Sequence, residues 1–127
     1  MTVEADCGAT VLLVEDDVDV REAVSDTLQD AGYQVLAARH GKEALELLRN
    51  NGGPRPCLIL LDLMMPVMDG WQFRELQSKD PALSDIPVVA LSAHGGLHAL
   101  DAADHLRKPV QLRALMDVVE RFCRVTS

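Results

Sequence analysis

With 127 residues, 48% of them hydrophobic and 25% charged, the chain has the size and composition of one globular domain that buries its core without staples. A formal charge of −8 argues against gripping nucleic-acid phosphates, no apolar run approaches the roughly 20 residues that span a bilayer, and the N-terminus lacks a signal peptide's basic start and apolar centre. Three cysteines, Cys7, Cys57 and Cys123, lie far apart, odd in number and without zinc spacing, so reduced structural thiols and a cytoplasmic location are expected.

Residues 1–9 read as a loosely held lead-in, 10–124 as the domain and 125–127 as a tail. Thr10 to Val14, TVLLV, is β-branched and apolar and reads as a buried strand ending in Glu15-Asp16-Asp17. Val20, Ala23, Val24, Thr27, Leu28 and Ala31 recur at helical spacing, and Gly32 ends that helix. Gln34 to Ala38 is a short strand, followed by a helix over Gly41 to Asn50 with Ala44, Leu45, Leu47 and Leu48 inward. Asn51-Gly52-Gly53-Pro54 breaks it. From Cys57, the apolar run Leu58-Ile59-Leu60-Leu61 leads straight into Asp62, as a strand buried on both faces does. Trp71 to Ser78 reads as a helix, and Asp80-Pro81 and Ile86-Pro87 bracket a loop. Val88 to Leu91 is another buried strand, stopping at Ser92. A short helix around Leu97 to Ala102, a strand over Asp104 to Arg107 and a helix over Val110 to Cys123 complete the chain. The last helix presents Leu112, Leu115, Met116, Val119 and Phe122 inward.

Strand and helix alternate five times, which predicts βαβ units, right-handed crossovers and a parallel sheet covered on both faces. The carboxyl ends of all its strands share one rim. That rim gathers Glu15-Asp16-Asp17, Asp62, Ser92 and Lys108, each the first polar group after a strand. Carboxylates crowded together repel unless a cation joins them, and oxygen ligands without His or Cys suit Mg²⁺ or Mn²⁺. Lys108 adds a fixed positive charge and Ser92 a hydroxyl, so metal, ammonium and hydroxyl can clamp three phosphoryl oxygens. Asp62 can then attack phosphorus and carry an aspartyl phosphate. The sequence offers no Gly-rich nucleotide loop near it, so the donor must already be activated.

In this order, LLVEDD, LLDLMMPVMDG, VVALSA and LRKP resemble the receiver domain of bacterial response regulators, from about Thr10 to Cys123. The resemblance implies a flavodoxin-like (βα)5 fold with strand order 2-1-3-4-5. It implies Asp62 as phosphoacceptor for a sensor histidine kinase or a histidine phosphotransfer domain. Register set on Arg21 makes Asp16 and Asp62 the direct Mg²⁺ ligands, with the Met64 carbonyl as third protein ligand, Glu15 acting through water and Asp17 as fallback. Ser92 matches the switch hydroxyl and Lys108 the phosphate-binding lysine, with a cis bond before Pro109. Met64 and His94 flank the phosphoryl site and are expected to tune hydrolysis.

Two departures stand out. Three residues before the lysine the family carries Tyr or Phe; here the switch position is His105, polar and titratable. From Ser92 to Lys108 the chain is short by roughly a turn and a half of helix, so the fourth helix should be shortened. His94 and His98 stand four apart but lack an acidic or cysteine partner and read as surface residues. Three functions stay open. The first is a phosphorylatable switch that catalyses only its own phosphorylation and dephosphorylation, with an unknown downstream protein target and no membrane contact. The second is a pseudo-receiver acting through protein contacts. The third is a Mg²⁺-dependent phosphohydrolase, disfavoured because the position two after Asp62, where such enzymes keep a second acid, is Met64.

Overall fold

Four apolar runs and the polar segment Asp104–Arg107 become the strands of one parallel sheet: β1 (Thr10–Val14), β2 (Gln34–Ala38), β3 (Leu58–Asp62), β4 (Val88–Ser92) and β5 (Asp104–Arg107). A computed structural model of the chain describes residues 10–50, 56–62, 70–81, 83–92 and 103–123, with Asn50 and Gly70 by backbone alone. The strands lie in the order β2-β1-β3-β4-β5, every neighbouring pair parallel. All residues of β1, β3 and β4 are buried, which is why these strands read as unbroken apolar runs rather than alternating ones. The edge strands β2 and β5 keep exposed positions.

Four helices cover the sheet: α1 (Val18–Asp30), α2 (Gly41–Asn50), α3 (Gly70–Lys79) and α4 (Leu112–Phe122). Val24 and Leu28 of α1 and Leu115, Val118 and Val119 of α4 pack with Val11, Leu13, Leu58, Leu60, Val89 and Leu91. On the opposite face Ala44 and Leu45 of α2 and Phe73 of α3 pack with Leu12, Val14, Ile59, Leu61, Val88 and Ala90. This is the doubly wound arrangement expected of alternating strands and helices. Gly32, with φ of 99°, ends α1 in the left-handed region, where a side chain is strained even though open space surrounds it. Before β4, the buried Gln77 amide donates to the carbonyls of Leu83 (2.8 Å) and Ile86 (3.0 Å), fixing the loop that delivers the strand.

Two expectations change. The last helix begins at Leu112, two residues later than predicted, because Gln111 holds an extended backbone as its cap. Leu112 is 63% exposed and Val118 takes a core place instead. Helical side chains lean toward the N-terminus, so one in the first turn points off the helix end. The second change concerns sulfur: Cys57 and Cys123, expected as reduced thiols, are joined as a disulfide with Cα atoms 5.5 Å apart. Their separation of 66 residues hid a proximity that only the folded topology creates. The shortened helix expected around Leu97 to Ala102 falls outside the described residues. Among the described residues no helix is long and apolar enough to cross a membrane.

Candidate functional site

The rim at the carboxyl ends of β1, β3, β4 and β5 carries the polar residues that follow each buried run. Glu15 is fully buried and every polar part of it is engaged. Its backbone N–H donates to the Ala38 carbonyl (3.0 Å), and its own carbonyl accepts from Arg21 Nη1 (2.9 Å). Its Oε2 accepts from the Asp17 N–H at 3.2 Å, and its Oε1 lies 2.7 Å from Lys108 Nζ. The Lys108 contact is close, yet off the direction a hydrogen bond needs, so it is chiefly an ion pair. Asp62, 2% exposed, ends β3 with Oδ2 3.4 Å from the same ammonium. Asp16, beside them, is exposed. Carboxylate oxygens of Glu15, Asp16 and Asp62 lie within 4.8 Å of one another.

Three carboxylates gathered together, two of them against one ammonium, leave excess negative charge at the rim. The donor set is oxygen alone, which fits a hard divalent cation such as Mg²⁺ and not a thiolate- or imidazole-seeking metal. Burial by itself would lower the Lys108 pKa, but Glu15 and Asp62 outweigh it and hold the proton more tightly than in a free lysine.

The backbone supplies the rest of the geometry. Lys108 N–H donates to the Ser92 carbonyl at 2.9 Å, which ties the ends of β4 and β5 together, and the Lys108–Pro109 peptide is cis. Ser92 is 5% exposed at the end of β4, one strand from Asp62. His105 pairs with Ala90 on β4, and its buried Nε2 has no hydrogen-bond partner among the described residues. Asp17, the expected fallback metal ligand, caps α1: its Oδ1 accepts from the Asp19 (2.9 Å) and Val20 (3.2 Å) N–H groups. Met64 and His94 fall outside the described residues. Arg21, read in the sequence only as a register mark, clamps the β1–α1 turn through the Glu15 carbonyl. Its place six residues beyond Glu15, one turn into α1, is the only sequence signal for that role.

Residues 11–120 match the Response regulator receiver domain family. The chain is 38% identical over 124 residues to Response regulator MprA of Mycobacterium sp. (strain KMS), covering 92% of this chain and 51% of that protein. It is 40% identical over 121 residues to Response regulator protein FleR of Pseudomonas aeruginosa, covering 90% of this chain and 24% of that protein. Among solved structures, the chemotaxis protein CheY4 of Vibrio cholerae superposes with a TM-score of 0.81 at 32% identity, over 90% of this chain and 98% of that one. These matches show the class, and the chain belongs to the receiver-domain family of response regulators in bacterial two-component systems. The chain spans about half the length of the MprA relative, or less for FleR.

Proposed function

We propose that the domain is a phosphorylation-dependent switch that accepts a phosphoryl group from a kinase phosphohistidine onto Asp62. The supporting observation is the grouping of Asp62, Glu15 and Asp16 within 4.8 Å, with Lys108 against two of them. Asp16 and Asp62 would hold Mg²⁺ directly, with the Met64 carbonyl, and Glu15 through water. The bound ion supplies charge neutralisation for the phosphoryl oxygens as they approach the acidic rim.

In the transfer, an Asp62 carboxylate oxygen attacks phosphorus in line. The P–N bond of the phosphohistidine breaks, and its electron pair stays on the imidazole nitrogen, which takes up a proton. Lys108 leaves its partner carboxylates to pair with a phosphoryl oxygen, and Ser92 Oγ donates to another. His105, behind Ser92 on the next strand, then senses the changed position of β4. Residues 10–124 form the acting unit, in a cytoplasmic setting where kinase partners present their phosphohistidines.

A hydrolase acting on ordinary phosphate esters lacks support, since Met64 holds the position where such enzymes keep a second acid. Incubation with Mg²⁺ and phosphoramidate, read by intact mass, tests the proposal. One added phosphoryl group, absent in Asp62→Asn and in EDTA, is the expected result. An unlabelled wild-type protein would leave the pseudo-receiver reading in its place.

A further inference from the structure

We propose that Cys57 and Cys123 form a reversible redox couple that staples the far end of α4 to the strand carrying Asp62. The two cysteines meet at the amino-terminal edge of the sheet, opposite the acidic rim. Cys57 immediately precedes β3, and Cys123 immediately follows α4. A Cα separation of 5.5 Å permits a disulfide without backbone movement.

Both oxidation states are accommodated. Cys57 Sγ lies 3.2 Å from the Thr10 carbonyl oxygen, an acceptor already in place for a thiol proton when the pair is reduced. Tyr33 Oη donates to the Cys123 carbonyl at 3.3 Å, and Leu115, Val118 and Val119 remain in the core. The helix end therefore stays docked without the covalent bond, and the bond adds a constraint to an already formed contact.

Access is unequal. Cys123 is 1% exposed, whereas Cys57 is only partly buried. Exchange therefore enters at Cys57. Its thiolate attacks a low-molecular-weight disulfide such as oxidised glutathione, forming a mixed disulfide and releasing one glutathione thiolate. The Cys123 thiolate then attacks the Cys57 sulfur and expels the second. Two electrons pass from the cysteine pair to the small disulfide, and the two thiol protons end on the two released glutathiones.

Cys57 and Asp62 stand at opposite ends of β3, about 16 Å apart along an extended strand. Oxidation should thus stiffen the far end of α4 while leaving phosphorylation of Asp62 unchanged. The chain with Cys7→Ser is equilibrated in glutathione buffers from fully reduced to fully oxidised, trapped by alkylation and read by mass. A two-state loss of both alkylation sites, with Cys57 and Cys123 peptides linked, is expected. The oxidised form should melt about 10 °C higher, from closing a long loop in the unfolded chain. Acetyl phosphate should label both forms equally. Adding Cys123→Ser should leave one glutathione on Cys57, while adding Cys57→Ser should leave none on Cys123. The proposal is overturned if both thiols stay alkylatable at every glutathione ratio. It is equally overturned if the disulfide of the folded protein resists dithiothreitol, or if glutathione settles on Cys123. The trapping of the Cys7→Ser chain decides even if a second substitution prevents folding.

Discussion

Replacing Lys108 by methionine should destabilise the metal-free protein and make Mg²⁺ binding tighter. The ammonium stands 2.7 Å from Glu15 and 3.4 Å from Asp62. At an effective dielectric near 20, those contacts are gross attractions of about 6 and about 5 kcal/mol. Desolvation of the three charges offsets most of this. Removing one member of such a buried group costs about 3 kcal/mol, the low end of the range, because Lys108 keeps 20% exposure. The loss strands Glu15, which has no exposure through which water can solvate it. A divalent ion supplies the missing charge, and without the competing ammonium it should bind about tenfold tighter, which is about 1.4 kcal/mol. In saturating Mg²⁺ the stability gap between variant and wild type should therefore shrink to about half. Urea denaturation in EDTA and in Mg²⁺, with calorimetry for the affinity, measures both quantities. An equal gap in the two buffers, or weaker Mg²⁺ binding by the variant, would refute the idea that lysine and metal compete for the same carboxylates.

Four further outcomes follow from the same geometry. Asp17→Ala removes the cap of α1 and should cost about 1 kcal/mol in urea denaturation, with Mg²⁺ affinity nearly unchanged. His105→Phe deletes a buried nitrogen that has no partner among the described residues, and should raise stability by about 1 kcal/mol. Ser92→Ala should slow labelling by acetyl phosphate roughly tenfold, the worth of one hydrogen bond to the transferring group, without weakening Mg²⁺ binding. The His105 backbone N–H, and next the Arg121 guanidinium at 2.6 Å, hold the Asp104 pKa below its ordinary 3.8 against the opposing effect of burial. That contribution is present above pH 3.8 and lost as pH falls through the lowered value. Arg121→Met should accordingly lower stability by at most about 1 kcal/mol at neutral pH, with the difference vanishing in acid.

Much of this architecture was legible because buried parallel strands write themselves as unbroken apolar runs. Thr10–Val14 begins and ends where the sequence placed it, and so do the partly exposed edge strands Gln34–Ala38 and Asp104–Arg107, which the alternation of strand and helix located. The acidic rim was legible for a related reason: in a parallel sheet, the first polar residue after each strand must share an edge with the others. What stayed hidden depends on contacts between distant residues or on a choice among near-equivalent ones. Glu15, Asp16 and Asp17 look alike in sequence, yet one is buried against Lys108, one is exposed beside it in the acidic group and one caps a helix. The pairing of Cys57 with Cys123 arises from α4 running back beneath β3, which no spacing rule records. Gln77 carried no periodic signal at all, and its role emerges only from the two carbonyls that face it.

The most direct test traps the acyl phosphate by borohydride reduction after incubation with Mg²⁺ and acetyl phosphate, then locates the reduced side chain by peptide mapping. Reduction at position 62 alone, dependent on Mg²⁺, is the predicted result. Modification confined to any other residue, or labelling indifferent to the metal, would contradict the account.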